Sequence, residues 1–428
     1  MKTRVRWCIG GLLFASTVIN YLDRQTLSVL APYLKTDFHW SNSDFALVVI
    51  SFRLAYALGQ TVSGRLIDRV GVRRGLTVAV TGYSVVAMLT PLATGLRSFC
   101  GFRFLLGAGE AANWPAATKA VGQWFPRRER GWAVALFDSG SSFGAAIAVV
   151  LVPWLYRAFG GWRPAFIGVG ALGFLWVFAW RRLYHAPEDH PALSAAERQM
   201  ILDDRENERL SAPGTEVTGG SIGGLRLLGF RQTWGAIFAR GLTDPVWYMI
   251  TDWFAIYLVT KGFRLEDTVA GFWLPFLGAD LGNFFGGGVS SALIRRGWPV
   301  GRARRAVFVG SAAGVLALIP AAYVSALAPL VACFALATFS YAAMSTMALS
   351  LPADLFENRA VASVAGMAGT AAGLGTIGST YAIGIVADRF SFTPILVVAS
   401  VVPLLAALVV AVLVRNTAAS GLGVVKVV

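Results

Sequence analysis

The fold class this sequence predicts is an all-α polytopic membrane protein, with twelve transmembrane helices in two pseudo-symmetric six-helix halves. Three observations carry that expectation. The chain of 428 residues is 56% hydrophobic and only 14% charged, whereas soluble globular proteins carry about a quarter charged residues. Apolar stretches recur from end to end, each near the ~20 residues that a spanning helix requires. The stretches divide six and six around one long polar segment, which is the layout of membrane folds built from two parallel repeats. A β-barrel would instead show short segments of alternating hydrophobicity.

In chain order the first half has apolar cores at about 8–30, 43–64, 75–95, 98–122, 131–152 and 163–180. The second has them at about 234–260, 269–294, 305–326, 328–350, 361–387 and 392–414. The expected domains are therefore 1–182, a cytoplasmic linker at 183–232, and 233–428. The linker opens with YHAPEDHP (Tyr184 to Pro191). Ser194 and Glu197 then have the spacing of a capping box that starts a short surface helix. The Gly-rich APGTEVTGGSIGG that follows reads as flexible linker. Span 5 contains GSSFG (Gly140 to Gly144), and span 11, its equivalent six spans later, contains GTAAG (Gly369 to Gly373). Span 8 adds GNFFG (Gly282 to Gly286). Such small-xxx-small spacings let helices approach closely. They serve generic packing or, alternatively, surfaces on which the two halves slide.

A formal net charge of +14 suggests a nucleic-acid binder only until the charges are placed. Lys2, Arg4 and Arg6 precede span 1. Arg65, Arg69, Arg73 and Arg74 follow span 2, Arg127, Arg128 and Arg130 follow span 4, and Arg295, Arg296, Arg302, Arg304 and Arg305 follow span 8. The opposite loops carry fewer, such as Lys35, Arg97, Arg157 and Lys261. This asymmetry is the positive-inside pattern and places both termini in the cytoplasm. No nucleic-acid partner is expected. Cys8, Cys100 and Cys333 lack metal-ligand spacing. The start resembles a signal peptide in its charges, but the segment continues through Asp23 and Arg24 without a convincing cleavage site, so a spanning helix is expected. No catalytic triad, metal cluster or nucleotide loop is evident, which disfavours an enzyme, an ATP-driven pump and any cofactor.

An ionisable residue at bilayer depth costs at least ~2.5 kcal/mol and marks a functional candidate. The candidates are Asp23 and Arg24 in span 1, Arg53 in span 2, Arg103 and Glu110 in span 4, Asp138 in span 5, Asp252 in span 7 and Asp280 in span 8. Neighbouring helix residues point about 100° apart, so Asp23 and Arg24 cannot simply neutralise each other. Arg103 and Glu110, seven apart, share a face but stand too far apart to pair. A simple arrangement pairs Asp23 with Arg103, leaving Arg24 for a ligand carboxylate, which its planar fork of donors suits, and Glu110 to exchange protons. Static interhelical ion pairs are the alternative, and Asp280 has the further option of bracing the Gly-rich span 8. On span 2, Arg53, Tyr56 and Gln60 share a face at i, i+3 and i+7. Tyr56 and Gln60, joined by Tyr21, have groups that hydrogen-bond a polyhydroxylated ligand, or else simply pack.

Several segments together resemble a known family. GRLIDRVGVRR (Gly64 to Arg74) is similar to the loop signature between spans 2 and 3 of the major facilitator superfamily. Its Asp68 can sit at a helix end and pair with Arg residues, latching the cytoplasmic side, with Gly64, Arg69 and Arg73 completing a cytoplasmic gate. INYLDRQTL, RFLLGAGEAANWPAATKAVGQWFP (Arg103 to Pro126) and DPVWYMITDWFAIYLVTKGF (Asp244 to Phe263) resemble the anion:cation symporter family. WLPFLGADLGNFFGG, GSSFGA and PEDHPALSAAE look most like its bacterial hexuronate and sugar-acid branch. The resemblance spans nearly the whole chain. It implies proton-coupled import of an organic anion by alternating access. Arg24 would bind the substrate carboxylate, Asp23 and Glu110 would handle the proton as coupling ion, and Arg103 would help couple them. Tyr21, Tyr56 and a polar residue near Ser141 would contact substrate. The chain departs from its relatives at Arg53, Asp138 and Asp252, and around Gly373 it lacks an Asn that holds a sugar hydroxyl in some of them. A compensating pair of Arg53 with one new carboxylate would explain this, and a second cavity Arg would suit a dicarboxylate such as an aldarate.

The sequence therefore leads us to expect a twelve-span secondary transporter in the inner membrane of a bacterium. A hexuronate or close aldonate is the expected substrate, and the lipid bilayer and a small carboxylate are its expected partners. The expected state is a monomer. The rivals are an exporter or antiporter of another organic anion or drug, and a sugar-acid sensor that does not transport.

Overall fold

The computed structural model describes residues 5–210, 224–263 and 269–414, without the side chain of Asp252 among others. The Gly-rich linker stretch and any role of Asp252 thus lie outside the described residues. The fold is that of an all-helical polytopic membrane protein. The helices are α1 (Val5–Phe38), α2 (Asn42–Val70), α3 (Val72–Leu89), α4 (Leu96–Glu110), α5 (Asn113–Trp124), α6 (Arg127–Phe159), α7 (Trp162–Leu183) and α8 (Ala195–Leu210). They continue with α9 (Arg231–Thr260), α10 (Val269–Arg295), α11 (Val300–Gly314), α12 (Leu318–Tyr323), α13 (Leu327–Leu355), α14 (Val361–Arg389) and α15 (Phe392–Leu413). Nine spans among the described residues are long and apolar enough to cross a membrane. The broken α4–α5 pair, α9 and α10 bring the total to the twelve expected.

Two of the expected spans are not single helices. The fourth breaks at Ala111–Ala112 into α4 and α5. Pro115 lies just beyond the break. It has no N–H to return to the Ala111 carbonyl, and its ring disfavours a continuous helix there. Span 9 tightens into 3₁₀ geometry at Val315–Ala317 between α11 and α12. The surface of α2 is inverted relative to that of a soluble helix. Leu47, Leu54, Leu58, Val62 and Leu66 are exposed along one stripe, which is stable where the surroundings are hydrocarbon.

The chain forms two compact units. Unit 1 is Met1–Trp124, Leu136–Asp203 and Asn358–Thr370, and unit 2 is Phe125–Ala135, Asp204–Glu357 and Ala371–Val428. In unit 1, α2 begins on a capping box: Ser41 Oγ accepts from Asp44 N (3.1 Å), and the Asp44 carboxylate accepts from Ser41 N (2.9 Å). It ends at Gly71, whose φ of 84° suits glycine. A side chain at Gly107 of α4 would strike the Phe52 carbonyl and the Tyr56 amide of α2, so the two backbones nearly touch. On α6, side chains at Gly140 and Gly144 would meet Phe14, Val18 and Tyr21 of α1. The GSSFG motif thus serves close packing here. A cluster of Phe38, Trp40, Phe99 and Trp162 closes one end of the unit.

The expected capping box at α8 is half formed. Ser194 Oγ accepts from Glu197 N (3.2 Å), but the Glu197 carboxylate turns elsewhere. It accepts from Val5 N and from the Arg6 guanidinium at 2.5 Å. The N-terminus of α1 presents orphan N–H groups and a positive dipole end, which outbid the Ser194 amide.

In unit 2, α10 lies on α13 through GNFFG. A side chain at Gly286 would come within 2.7 Å of the Ala343 backbone, and one at Gly282 would strike Phe339. Asp354 at the end of α13 is buried between two guanidiniums. Its carboxylate meets Arg304 Nε at 2.9 Å and Arg130 Nη1 at 3.1 Å, and all three side chains are buried. Arg130 also donates to the Ala353 carbonyl, and Arg304 donates to Ser290 Oγ. Within α9, Arg240 pairs with buried Asp244 at 2.6 Å, and Tyr341 Oη donates to the same carboxylate.

Asp354→Asn takes away the carboxylate to which both buried guanidiniums donate. The expected loss is about 3 kcal/mol, read as a clear fall in Tm of the detergent-purified protein.

Candidate functional site

Four charged groups from α1 and α4 meet inside unit 1, where α2 lies hard against α4. Arg103 and Glu110 both lie on the buried face of α4, at 4% and 0% exposure, as their seven-residue spacing predicts. Asp23 of α1 is 3% exposed, while Arg24 points away from it and keeps 13% side-chain exposure. That divergence follows from the ~100° between neighbouring helix positions.

The pairing differs from the one expected. Arg24 Nε donates to Glu110 Oε2 at 2.6 Å. Arg24 is therefore engaged by Glu110 and not left for a ligand, and Glu110 holds a counter-ion. Arg103 does not take up Asp23 as its ion-pair partner. Its guanidinium lies over the Phe52 ring at 4.7 Å, and among the described residues its Nε and Nη1 have no hydrogen-bond partner. Nor has Asp23 Oδ2 or Glu110 Oε1. Asp23 nonetheless lies in the fields of Glu110, Arg103 and Arg24. The physical reason is the break after Glu110. It ends α4 at that carboxylate, and the Gly107 contact draws α2, with its rings, against the Arg24 side chain.

Those rings form a box around the Arg24 guanidinium. Its carbon is 4.2 Å from the Tyr56 ring centre, 5.0 Å from Tyr21, 5.2 Å from Phe52 and 5.8 Å from Trp114. Tyr21 and Trp114 also face each other at 6.0 Å. Aromatic faces attract a cation, the more so where water is excluded. Tyr21 and Tyr56 thus sit with Arg24 as expected. Sequence reasoning missed Phe52 and Trp114. Phe52 lies four residues before Tyr56, and Trp114 lies four after Glu110, so helical spacing from the named residues carried a signal.

Other expected substrate residues stand apart from this box. Ser141 donates its hydroxyl to the Asp138 carbonyl at 2.7 Å within α6. Gln60 is 2% exposed and packs against Gly369. Arg53 stands half-buried on α2, one turn before Tyr56, and Asp138 and Asp280 are also half-buried.

The expected gate residues meet different partners from those foreseen. Asp68 pairs with Lys119 of α5 at 2.8 Å, not with an Arg. Its carboxylate also accepts from Ser363 N at 2.7 Å and Ala362 N at 3.3 Å, so it caps the first turn of α14. A helix N-terminus offers those amides and a positive end. Gly64 lets the backbones of α2 and α14 meet, since a side chain there would strike the Ala362 carbonyl. Arg69 is exposed. Arg73 turns to the end of α7, donating to the Arg181 carbonyl at 2.6 Å and reaching His185 Nε2 at 3.4 Å. Burial and then the charge of Arg73 hold His185 below the usual imidazole range, which favours the neutral ring that accepts this contact. Among the described residues no group of His, Cys, Asp and Glu has the arrangement of a metal site.

Comparison with known proteins agrees with the sequence resemblance. The family model described as Major Facilitator Superfamily matches residues 13–378. The hexuronate transporter of Escherichia coli K12 is 32% identical over 415 residues, covering 96% of this chain and 94% of that protein. The galacturonate transporter of Dickeya chrysanthemi is 32% identical over 66% of this chain and 81% of its own. The D-galactonate transporter of Escherichia coli O6:H1 is 29% identical over 95% of this chain and 94% of its own. Among solved structures, the proton:xylose symporter XylE superposes with a TM-score of 0.74 at 15% identity, covering 99% of this chain and 98% of that one. The transporter FucP gives 0.70 at 17% identity, over 96% and 99%.

The Arg24–Glu110 pair should be energetically coupled. In a double-mutant cycle, Arg24→Gln and Glu110→Gln each lower Tm in detergent, and the double variant loses less than the sum by about 1–3 kcal/mol. Strict additivity would show that the two side chains do not interact in solution.

Proposed function

We propose that this chain, which belongs to the Major Facilitator Superfamily, imports a sugar-acid anion together with protons by alternating access. The substrate class is a hexuronate or close aldonate. The proposed location is the inner membrane of a bacterium, with both termini cytoplasmic and the chain acting as a monomer. The six-span halves 1–182 and 233–428 and the linker 183–232 are part of the same reading. One observation carries it: the 2.6 Å Arg24–Glu110 ion pair inside a box of aromatic rings.

The chemistry follows from what a second carboxylate would do there. A guanidinium presents a planar fork that holds a carboxylate in two parallel hydrogen bonds. A sugar-acid carboxylate competes with Glu110 for Arg24. Once displaced, Glu110 is a fully buried carboxylate that has lost its counter-ion. An uncompensated buried charge costs several kcal/mol, and taking up a proton removes that cost. Anion and proton are therefore favoured together, and release of one promotes release of the other. The rings of Tyr21, Tyr56 and Trp114 exclude water from the guanidinium and offer apolar faces to the sugar ring. Asp23 is the second proton acceptor, and Arg103 links its field to that of Glu110. Asp68 with Gly64, Arg69 and Arg73 forms the cytoplasmic gate, and its contacts with the first turn of α14 must break and reform in each cycle. The resemblance to transporters named for hexuronate, galacturonate and galactonate supports the substrate class.

External pH in a lightly buffered, de-energised suspension of expressing cells tests the reading. Addition of galacturonate, glucuronate or galactonate is expected to alkalinise the medium, with no response in the Glu110→Gln variant. Silence with all three, once expression is verified, would overturn the sugar-acid symport reading. Arg24→Lys keeps the charge but loses the fork, and is expected to weaken anion binding about tenfold.

A further inference from the structure

Beneath the Arg24 site, on the other side of Asp23, unit 1 buries polar groups that the transport reading does not use. Asn20 lies three residues before Asp23, on the same helix face. It is 0% exposed, and among the described residues neither its Oδ1 nor its Nδ2 has a hydrogen-bond partner. Tyr83 of α3 is 1% exposed and its hydroxyl likewise lacks a partner. It lies in the fields of Asp23, Glu110 and Arg24. Gly109, the neighbour of Glu110, draws α4 onto it, since a side chain there would come within 3.0 Å of Tyr83 Cβ. With Asp23 Oδ2 and Glu110 Oε1, five buried polar atoms on three helices stand without a hydrogen-bond partner among the described residues.

Below Asn20 the stripe on α1 continues through Thr17 and Ser16, at 0% and 1% exposure. There the partners are complete: Ser16 Oγ donates to Asn113 Oδ1 at 3.0 Å, and Asn113 Nδ2 donates to Thr17 Oγ1 at 3.2 Å. From Asp23 to Ser16 the stripe runs about 10 Å along the helix at 1.5 Å per residue. It leads toward the N-terminus of α1.

We propose that this polar seam, from Asp23 through Asn20 and Tyr83 to the Ser16–Thr17–Asn113 cluster, binds ordered water and carries the coupling proton along a path separate from the anion's. Native interiors keep few buried polar atoms unpaired. Those left over are met by buried waters, each making two to four hydrogen bonds. An amide with two unused groups, the Tyr83 hydroxyl and two carboxylate oxygens supply such partners on three sides. The charged groups acting on Asp23 are Glu110 and Arg103 from α4 and Arg24 from α1, and Tyr83 is the titratable group facing it from α3. A proton that reaches Asp23 is drawn from a hydrated proton at the far end of the seam, and one that leaves Asp23 reappears there, so each transfer balances without a further reactant. The water claim stands on the geometry alone. The proton route rests on the proposed symport.

Two readouts on the full-length protein test it. The first is X-ray hydroxyl-radical footprinting in nanodiscs without substrate, which modifies side chains beside bound water. Tyr83 is expected to be modified about tenfold faster than burial alone allows, taking Tyr257 as reference. Tyr257 is buried to 4% and its hydroxyl is already bound to the Ala321 carbonyl at 2.8 Å. Asn20→Leu, which fills the seam, is expected to abolish the excess, and Asn20→Ser to keep it. The second is transport in proteoliposomes. Asn20→Leu is expected to lower proton-driven galacturonate uptake about tenfold while leaving galacturonate counterflow unchanged, and Asn20→Ser to restore uptake.

Tyr83 labelling no faster than Tyr257 would overturn the seam. So would counterflow and uptake falling together in Asn20→Leu and Asn20→Ser alike. Absence of counterflow in the unmodified chain would instead sink the symport reading and its proton route, with the footprint still reporting on the water.

Discussion

The Arg24–Glu110 ion pair is the interaction on which the site depends. It lies where Coulomb attraction is barely screened and where each ion has given up most of its water. Such a pair stabilises the fold only modestly against an apolar replacement of the same shape, because desolvation offsets most of the attraction. Breaking it by removing one partner is far more costly. That asymmetry suits a group that must exchange partners: the arginine can change carboxylates at little net cost, but it cannot be left with none. In the proposed cycle the substrate supplies the second carboxylate and a proton supplies the compensation.

Packing supplies the geometry this requires. Gly107 brings α2 against α4, Gly140 and Gly144 bring α6 against α1, and the break before Pro115 ends α4 at Glu110. These features place four aromatic rings around one guanidinium. A bulkier residue at any of the three glycines would push the rings away before it touched the ion pair. The buried Asp354 with Arg130 and Arg304 in unit 2, and Asp68 with Lys119 in unit 1, use the same economy of charge elsewhere. The Asp354 carboxylate is held by two guanidiniums, and the Asp68 carboxylate by Lys119 and the backbone amides of Ala362 and Ser363.

Much of this was legible in the chain. Spans are visible because apolar length is nearly sufficient evidence in a bilayer. Asp23, Arg24, Arg103 and Glu110 stood out as charges inside apolar runs, and the seven-residue spacing correctly put the last two on one face. Who pairs with whom was not legible. That depends on how far α2 and α4 approach and where α4 stops, and a single proline three residues inside α5 decides it. Phe52, Trp114 and Tyr83 read as ordinary packing, since an aromatic residue in a span has no distinguishing pattern of its own. Lys119 and Arg130 sit near the ends of spans, where a charge is cheap, and Asp244 lies mid-span in α9 one turn after Arg240; none of the three stood out as a site, yet all are buried. Asp68 was read correctly as a group at a helix end, but the partners waiting there, Lys119 and the first amides of α14, come from sequence distant from its own loop.

The central claim is that an anion can take Arg24 only if a proton replaces it on the buried carboxylate. Isothermal titration of the purified protein with galacturonate, repeated near neutral pH in buffers of different ionisation enthalpy, measures protons taken up on binding. The account predicts uptake of about one proton per anion, lost in Glu110→Gln while binding itself survives. Binding with no proton uptake in the unmodified protein would contradict it.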